Sequence, residues 1–284
     1  MAISYAVNCS ILFPELPLLQ RPAAAAAAGF DAVEFWWPFS TTADAEVDAF
    51  VGAVSDAGVR LVGLNLAAGD LGAGDRGLVS WPGRETEFRD SVAVAVGIGE
   101  RLGTAVFNAL YGNRVDGATG QDELADDNLA FAAGQAARIG ATVVLEPLSG
   151  AERYPLRTAA DALAVADRVG VDNLALLADL YHLAVNGEDL DAVIVEHTAR
   201  IGHVQIADAP GRHEPGTGAL DLHRRLAALT DAGYDGHVAL EYIPTSTGAA
   251  TFDWLPPALR RNHQGRNHQG RSDQGTIYRK EHAS

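Results

Sequence analysis

A short phrase recurs along this chain: a glycine, then a brief apolar run that ends in a polar residue or a proline. The glycines are Gly29, Gly58, Gly103, Gly140, Gly170, Gly202 and Gly233, and the runs after them read AVEFWW, VRLVGLNL, AVFNAL, TVVLEP, NLALLAD, HVQIAD and HVALEY. The stretch before the first glycine, Leu16–Ala28, is rich in Ala and Leu and reads as a helix that Gly29 closes. Most spacings lie near 30 residues, the length of one strand–helix unit. Tyr5–Phe13 reads as a strand ahead of the first helix, which makes eight. Eight strands alternating with helices over residues 1–260 specify an α/β fold, a single-domain (β/α)8 TIM barrel. Its active-site groups belong at the C-terminal ends of the strands. A doubly wound open sheet is the structural alternative. It is disfavoured because no Gly-rich dinucleotide fingerprint follows an early strand.

Four of the apolar runs end on a group that does not belong in an apolar core. Strand 5 ends LEP with Glu146, strand 6 ends LAD with Asp179, strand 7 carries Gln205, and strand 8 ends with Glu241. The two-residue alternation of a strand turns all four inward, and neighbouring strands lie about 4.8 Å apart, so the four converge. Three carboxylates and an amide crowded together out of water are unfavourable unless something balances them. A divalent cation does so. The donors are all oxygens, which suits Mg2+ or Mn2+ better than Zn2+. Such an ion holds a hydroxy-carbonyl pair and stabilises its enediolate, while one glutamate removes a proton from carbon and another returns it to the next. Glu146 and Glu241 are the candidates for those two roles. His182, just beyond Asp179, is placed to polarise an oxygen or shuttle a proton. His203, two residues before Gln205, reads as a satisfied core histidine.

Two loops stand out. Ile201–Gly218 runs from strand 7 into Asp208, Arg212, His213 and Glu214 among Gly and Pro, the composition of an active-site loop. Ala67–Arg84 is long and holds five glycines together with Asp70, Asp75 and Arg76. Loops of that length serve as lids or binding loops, or are disordered. Arg76 and Arg212 are candidates to bind a substrate carboxylate. After Leu259 the chain changes character: RNHQG RNHQG RSDQG has no apolar residue, and 261–284 reads as a low-complexity, disordered polar tail.

Composition removes several chemistries. The 21 Lys plus Arg against 37 Asp plus Glu give a charge of −16, which argues against nucleic acid or an anionic membrane as partner. Lys280 is the only lysine, so the folded body offers neither a Schiff-base lysine nor a P-loop lysine. Cys9 is the only cysteine, which excludes an internal disulfide and a cysteine-rich zinc site. No signal peptide or membrane-length apolar run is evident, so a soluble cytoplasmic protein is the expectation. A homo-oligomer is compatible with it.

The pieces FPELPLLQR, AAGFDAVEF, NLAAGD, DRG, LEP, ADLYH, GHVQIADAPGRHEPGTG and GYDGHVALEY resemble the hydroxypyruvate isomerase family, within the xylose-isomerase-like barrels. The likeness spans roughly residues 3–256. It implies reversible conversion of a small 2-oxo acid, hydroxypyruvate, into 2-hydroxy-3-oxopropanoate (tartronate semialdehyde). It implies metal ligands at Glu146, Asp179, Gln205 and Glu241, with proton transfer by Glu146 and Glu241. Related epimerases carry a histidine ligand where this chain has Gln205, and substrate contacts at positions matching Glu152, His182 and Arg212. After LEP the family usually continues with an Asn- and Gly-containing loop, whereas this chain reads LSGAERYPL. A 2-oxotetronate isomerase or a ketose 3-epimerase on the same barrel is the alternative enzyme. A phosphodiester hydrolase would need a histidine-rich zinc cluster and a basic groove. A sugar-binding barrel is the alternative outside catalysis.

Overall fold

The computed structural model describes residues 3–246 and 248–261, which contain eight strands closed into one barrel. The strands are β1 (Ser4–Asn8), β2 (Ala32–Phe35), β3 (Arg60–Asn65), β4 (Val106–Asn108), β5 (Thr142–Leu145), β6 (Leu174–Asp179), β7 (Ile201–Ile206) and β8 (His237–Leu240). Each lies parallel to the next, and β1 pairs with β8 to complete the ring. The expected TIM barrel is therefore the observed fold. The low-complexity tail lies outside the described residues apart from Arg261.

The helices follow the local chemistry. Asp44–Asp56, Glu85–Leu102, Gln121–Ala137, Ala159–Val169 and Leu222–Asp231 cover the outside of the barrel. Ala159–Val169 starts with a capping box, Thr158 accepting from the Asp161 N–H while the Asp161 side chain accepts from the Thr158 N–H, and ends on Gly170 in the left-handed region. Among the described residues, no helix is long and apolar enough to cross a membrane.

Two local expectations shift. The run Tyr5–Phe13 is strand only as far as Asn8, whose side chain accepts from the Ser10 N–H and starts a short helix, Cys9–Leu12. Leu16–Ala28 splits into a 3-10 turn, Leu18–Gln20, and the helix Arg21–Ala27, whose first turn holds Pro22. Gly202, unlike the other punctuating glycines, sits within a strand: a Cβ there would lie 2.8 Å from Val144 Cγ1 and 3.0 Å from Ala175 Cβ. Its absence of side chain is what lets β7 pass its neighbours so closely.

The long loop 67–84 has no helix or strand of its own but is anchored at depth. Leu78, Val79 and Ser80 are buried, and the Ser80 N–H donates to the Tyr111 carbonyl. Inside the barrel the layer beneath the mouth is small on one side: Ala6, Ala32, Val62 and Ala239 form a separate buried cluster. Two residues further along their strands, on the same inward face, come Asn8, Glu34 and Glu241.

Candidate active site

Every strand, not only the last four, delivers a polar side chain to the C-terminal mouth. Asn8, Glu34, Asn65, Asn108, Glu146, Asp179, Gln205 and Glu241 stand at or one step from the ends of β1 to β8, and all eight are buried. Pairing places them at matching heights: Asn8 is opposite Glu34, Asn65 opposite Asn108, and Asp179 opposite Gln205.

Half of this ring escaped the reading of the sequence. Glu34 lies in AVEFWW, where it shares a face with Ala32 and alternates with Val33, the same signal that exposed Glu146 in TVVLEP. It was hidden by the aromatic residues that follow it. The three asparagines end runs that look like ordinary strand exits.

Of the four residues expected to converge, the structure joins Gln205 to Glu241 by a hydrogen bond and clusters Glu146 with Asp179, while Glu241 stands outside that carboxylate cluster. Gln205 Nε2 donates to Glu241 Oε2 and, at 2.8 Å, to Glu34 Oε1. Asn8 Nδ2 donates to Glu34 Oε1 at 2.9 Å and to Glu241 Oε2 at 2.8 Å. Asn108 Nδ2 donates to Glu146 Oε2 at 2.7 Å. Glu146, Asp179 and His182 each bring one potential ligand atom within 4.8 Å of the others. Asp179 Oδ2 and Gln205 Oε1 are buried with no hydrogen-bond partner. Asp179 Oδ2 has only the longer 3.6 Å approaches of Arg212 and His182, and a buried acceptor left without a hydrogen bond is unfavourable by about 1–3 kcal/mol, so the pair of oxygens favours a further donor or a cation.

Arg212 closes one side. Its Nη2 lies 2.6 Å from Glu241 Oε1 and 3.6 Å from Asp179 Oδ2. It adopts φ 60°, a left-handed backbone that its loop enforces. Asp208 accepts from the N–H groups of Ala209, Gly216 and Leu220, and the Ile243 N–H donates to the Arg212 carbonyl. Glu214 ties the same loop to the one after β8 through Thr245 and Thr251. The Nε of Arg212 is buried and has no acceptor.

His182 is oriented from behind. The Ser149 N–H donates to its Nδ1 at 3.1 Å, and Ser149 Oγ lies 2.7 Å from the same nitrogen. A ring nitrogen that accepts a backbone N–H carries no proton, so the neutral ring presents Nε2–H to the site. That Nε2 stands 3.6 Å from Asp179 Oδ2 and 3.9 Å from Glu146 Oε1. In this tautomer His182 is a donor and not a metal ligand, although it sits among the candidate ligands.

The electrostatics follow burial. Burial first, then the charge of Asp179, pushes Glu146 up to about 8. Burial likewise drives Glu241 well above the usual carboxyl range, against the pull of Arg212. Burial, with the Arg212 and Arg76 charges, brings His182 down to about 4, against the pull of Asp179. Glu34 is the exception: burial opposes its charge, but His203 and the hydrogen bonds from Gln205 and Asn8 hold it below the usual range.

The remaining candidates lie further out. Arg76 is half-buried in the long loop and donates to the carbonyls of Leu71 and Asp75, yet its charge reaches His182. Glu152 occupies an exposed turn after β5 and makes no hydrogen bond or ion pair with the polar ring. His203, expected as a satisfied core histidine, is buried with Nε2 2.6 Å from Glu34 Oε2.

Comparison with known proteins agrees with this architecture. Residues 22–258 match the xylose isomerase-like TIM barrel model. A putative hydroxypyruvate isomerase of Streptomyces coelicolor is 54% identical, covering 89% of this chain and 96% of its own length. The 2-oxo-tetronate isomerase of Cupriavidus necator is 37% identical and the hydroxypyruvate isomerase of Escherichia coli 33%, each covering 90% of this chain and 99% of its own. Among solved structures, an AP endonuclease, family 2, from Brucella melitensis is 33% identical with a TM-score of 0.81, covering 89% of this chain and 98% of its own. With a closed barrel, a ring of polar strand ends and relatives of this closeness, the chain belongs to the xylose isomerase-like TIM barrel family and, within it, to the hydroxypyruvate isomerases.

Proposed function

We propose that this isomerase interconverts hydroxypyruvate and 2-hydroxy-3-oxopropanoate, and that Glu146, Asp179, Gln205 and Glu241 hold a divalent cation, Mg2+ or Mn2+, while it does so. The observation that carries the metal reading is the pair of orphaned buried oxygens, Asp179 Oδ2 and Gln205 Oε1, flanked by two glutamates that burial has deprived of easy ionisation. When bound, the ion supplies positive charge to the hydroxy and carbonyl oxygens of the substrate.

The chain's own residues supply the rest. One of Glu146 and Glu241 takes a proton from C3 of hydroxypyruvate, and the other delivers one to C2. The hydroxyl proton passes from the C3 oxygen to the C2 oxygen, so atoms balance without any co-reactant. His182 donates its Nε2–H to a substrate oxygen. Arg212, through the Nε–H that has no acceptor, and Arg76 take the carboxylate. Glu152 stands further out, as a contact for the distal end of a substrate.

The acidic chain and a ligand cluster with a single histidine do not favour a DNA partner, the name of the Brucella relative notwithstanding. A cytoplasmic location accompanies the proposal and is checked by fractionation.

The test is exchange of substrate C–H for solvent deuterium with Mg2+, Mn2+ or chelator present. Exchange into hydroxypyruvate that chelator stops and either ion restores supports the reading; exchange indifferent to chelator refutes the metal. The 37% identity to a 2-oxo-tetronate isomerase makes the four-carbon acid the second candidate. Comparing kcat/KM for the two acids decides between them.

A further inference from the structure

The buried pair Glu34–His203 touches the candidate site without facing it. Glu34 Oε2 is taken by His203 Nε2 at 2.6 Å. Glu34 Oε1 receives Asn8 Nδ2 at 2.9 Å and Gln205 Nε2 at 2.8 Å. With both oxygens so occupied and the residue only 3% exposed, Glu34 is not available to a substrate.

What the pair does is settled at Gln205. A glutamine side chain is nearly symmetric in shape, and its oxygen and nitrogen ends exchange by a half-turn about the last bond. Here both amide hydrogens are spent on carboxylates, one on Glu34 and one on Glu241. The flipped amide would set its oxygen against those two carboxylates, out of reach of water. Glu34 thus forces Oε1 the other way, where it lies buried and without a donor, on the strand position paired with Asp179 and its orphaned Oδ2. His203 holds the far oxygen of Glu34 and so fixes the carboxylate plane. Room for the pair comes from β3: Gly63 lies opposite Glu34, and a Cβ there would stand 3.2 Å from Glu34 Oε2 and 3.8 Å from His203 Nε2.

We infer that Glu34, braced by His203, is the positioning residue that turns the Gln205 amide so that its oxygen, and not its nitrogen, faces the cation. This rests on the metal reading proposed above. Ligand-orienting partners of this kind change metal affinity by about 10–100-fold when removed.

The experiment is calorimetric titration of Mn2+ into chelator-treated protein, with circular dichroism confirming the fold of each variant. Wild type binds one ion. Glu34→Gln, which removes one of the two carboxylates holding the amide, weakens binding about 10–100-fold. The exchange variant Glu34→Gln with Gln205→Glu keeps the net charge and the hydrogen bond between positions 34 and 205 with donor and acceptor reversed, while the donation to Glu241 is lost and the bound ion must separate the two carboxylates. It offers an oxygen to the ion from either end of residue 205, so most of the affinity returns. A loss of fold integrity alone would not be repaired by that second change. Gly63→Ala, which presses on the Glu34 carboxylate without altering a charge, weakens binding in the same direction and serves if Glu34→Gln fails to fold. Mn2+ affinity unchanged within twofold in folded Glu34→Gln and in Gly63→Ala overturns the role of Glu34 while leaving the metal site standing. A wild type that binds no Mn2+ overturns both.

Discussion

Chelator-treated protein offered Mn2+ at pH 7 is expected to release about one to two protons for each ion it binds. The number follows from the carboxyl groups at the barrel mouth. Burial, aided by the charge of Asp179, sets Glu146 near 8 before any cation arrives, so at pH 7 roughly nine molecules in ten carry its proton. An oxygen that coordinates a cation must give that proton up. Glu241 is displaced in the same direction by its own burial and contributes up to a second proton. Apparent affinity should therefore rise about tenfold per pH unit, or somewhat more, until pH passes about 8, and flatten above it. At pH 9 the share from Glu146 falls to about a tenth of a proton. The stability of the metal-free protein runs the opposite way. A carboxyl raised in the folded state binds its proton more tightly than in the unfolded chain. The stability it contributes is present at low pH and drains away as pH climbs from the unfolded value of about 4.3 through about 8. The thermal shift produced by Mn2+ should thus widen across that window. Calorimetry in two buffers of different ionisation enthalpy counts the protons directly. Zero proton release at pH 7, with tight binding, would refute the argument, because it would mean that the glutamates are already ionised or take no part.

Three further outcomes are expected. Glu146→Gln and Glu241→Gln should each lower solvent-hydrogen exchange into hydroxypyruvate by about 10²–10⁴-fold, and retained exchange in both would remove the two-base scheme. Arg212→Met should raise KM for a 2-oxo acid by about 10–100-fold, the worth of a charged hydrogen bond, while an uncharged ketose assayed beside it changes far less; equal effects on both would deny the carboxylate role. Gly202→Ala, whose new methyl would sit 2.8 Å from Val144 Cγ1, should lower stability by about 1–3 kcal/mol in a denaturant melt.

The barrel was legible because its units are punctuated: each glycine stop and each short apolar run is local, and eight of them in series admit few folds. Strand and helix ends were less so. Asn8 ends β1 by capping the turn after it, and that depends on one side-chain hydrogen bond which hydrophobic pattern does not register. The same limit governed the site. Glu146, Asp179, Gln205 and Glu241 were readable since each interrupts an apolar run at its end. Glu34 interrupts one too, but Phe35, Trp36 and Trp37 keep the run apolar past it. Ser149 gave no signal at all, because its use lies in where a backbone N–H points, and that is a property of the turn after β5.

The charges at the mouth explain why these residues and not others occupy it. Glu34 is paired with His203, which helps to hold it below the usual carboxyl range, and is counted apart from the balance. Glu146, Asp179 and Glu241 then bring three negative charges and Arg212 one positive, which leaves an excess of two in a site closed to water. A buried excess of that size is not tolerated as such. It is relieved either by two protons, which is what the raised Glu146 and Glu241 express, or by one divalent ion. Both states are neutral, so ion and protons can replace one another without unfolding the site. A lysine in the ring would have neutralised it permanently and removed that exchange, and the folded body of this chain contains none. An incoming carboxylate adds a further negative charge, met by Arg76 at the rim and by the unspent Nε–H of Arg212. On the function proposed above, a glutamate that yields its proton to an arriving ion is left ionised, and so able to take one from a substrate carbon.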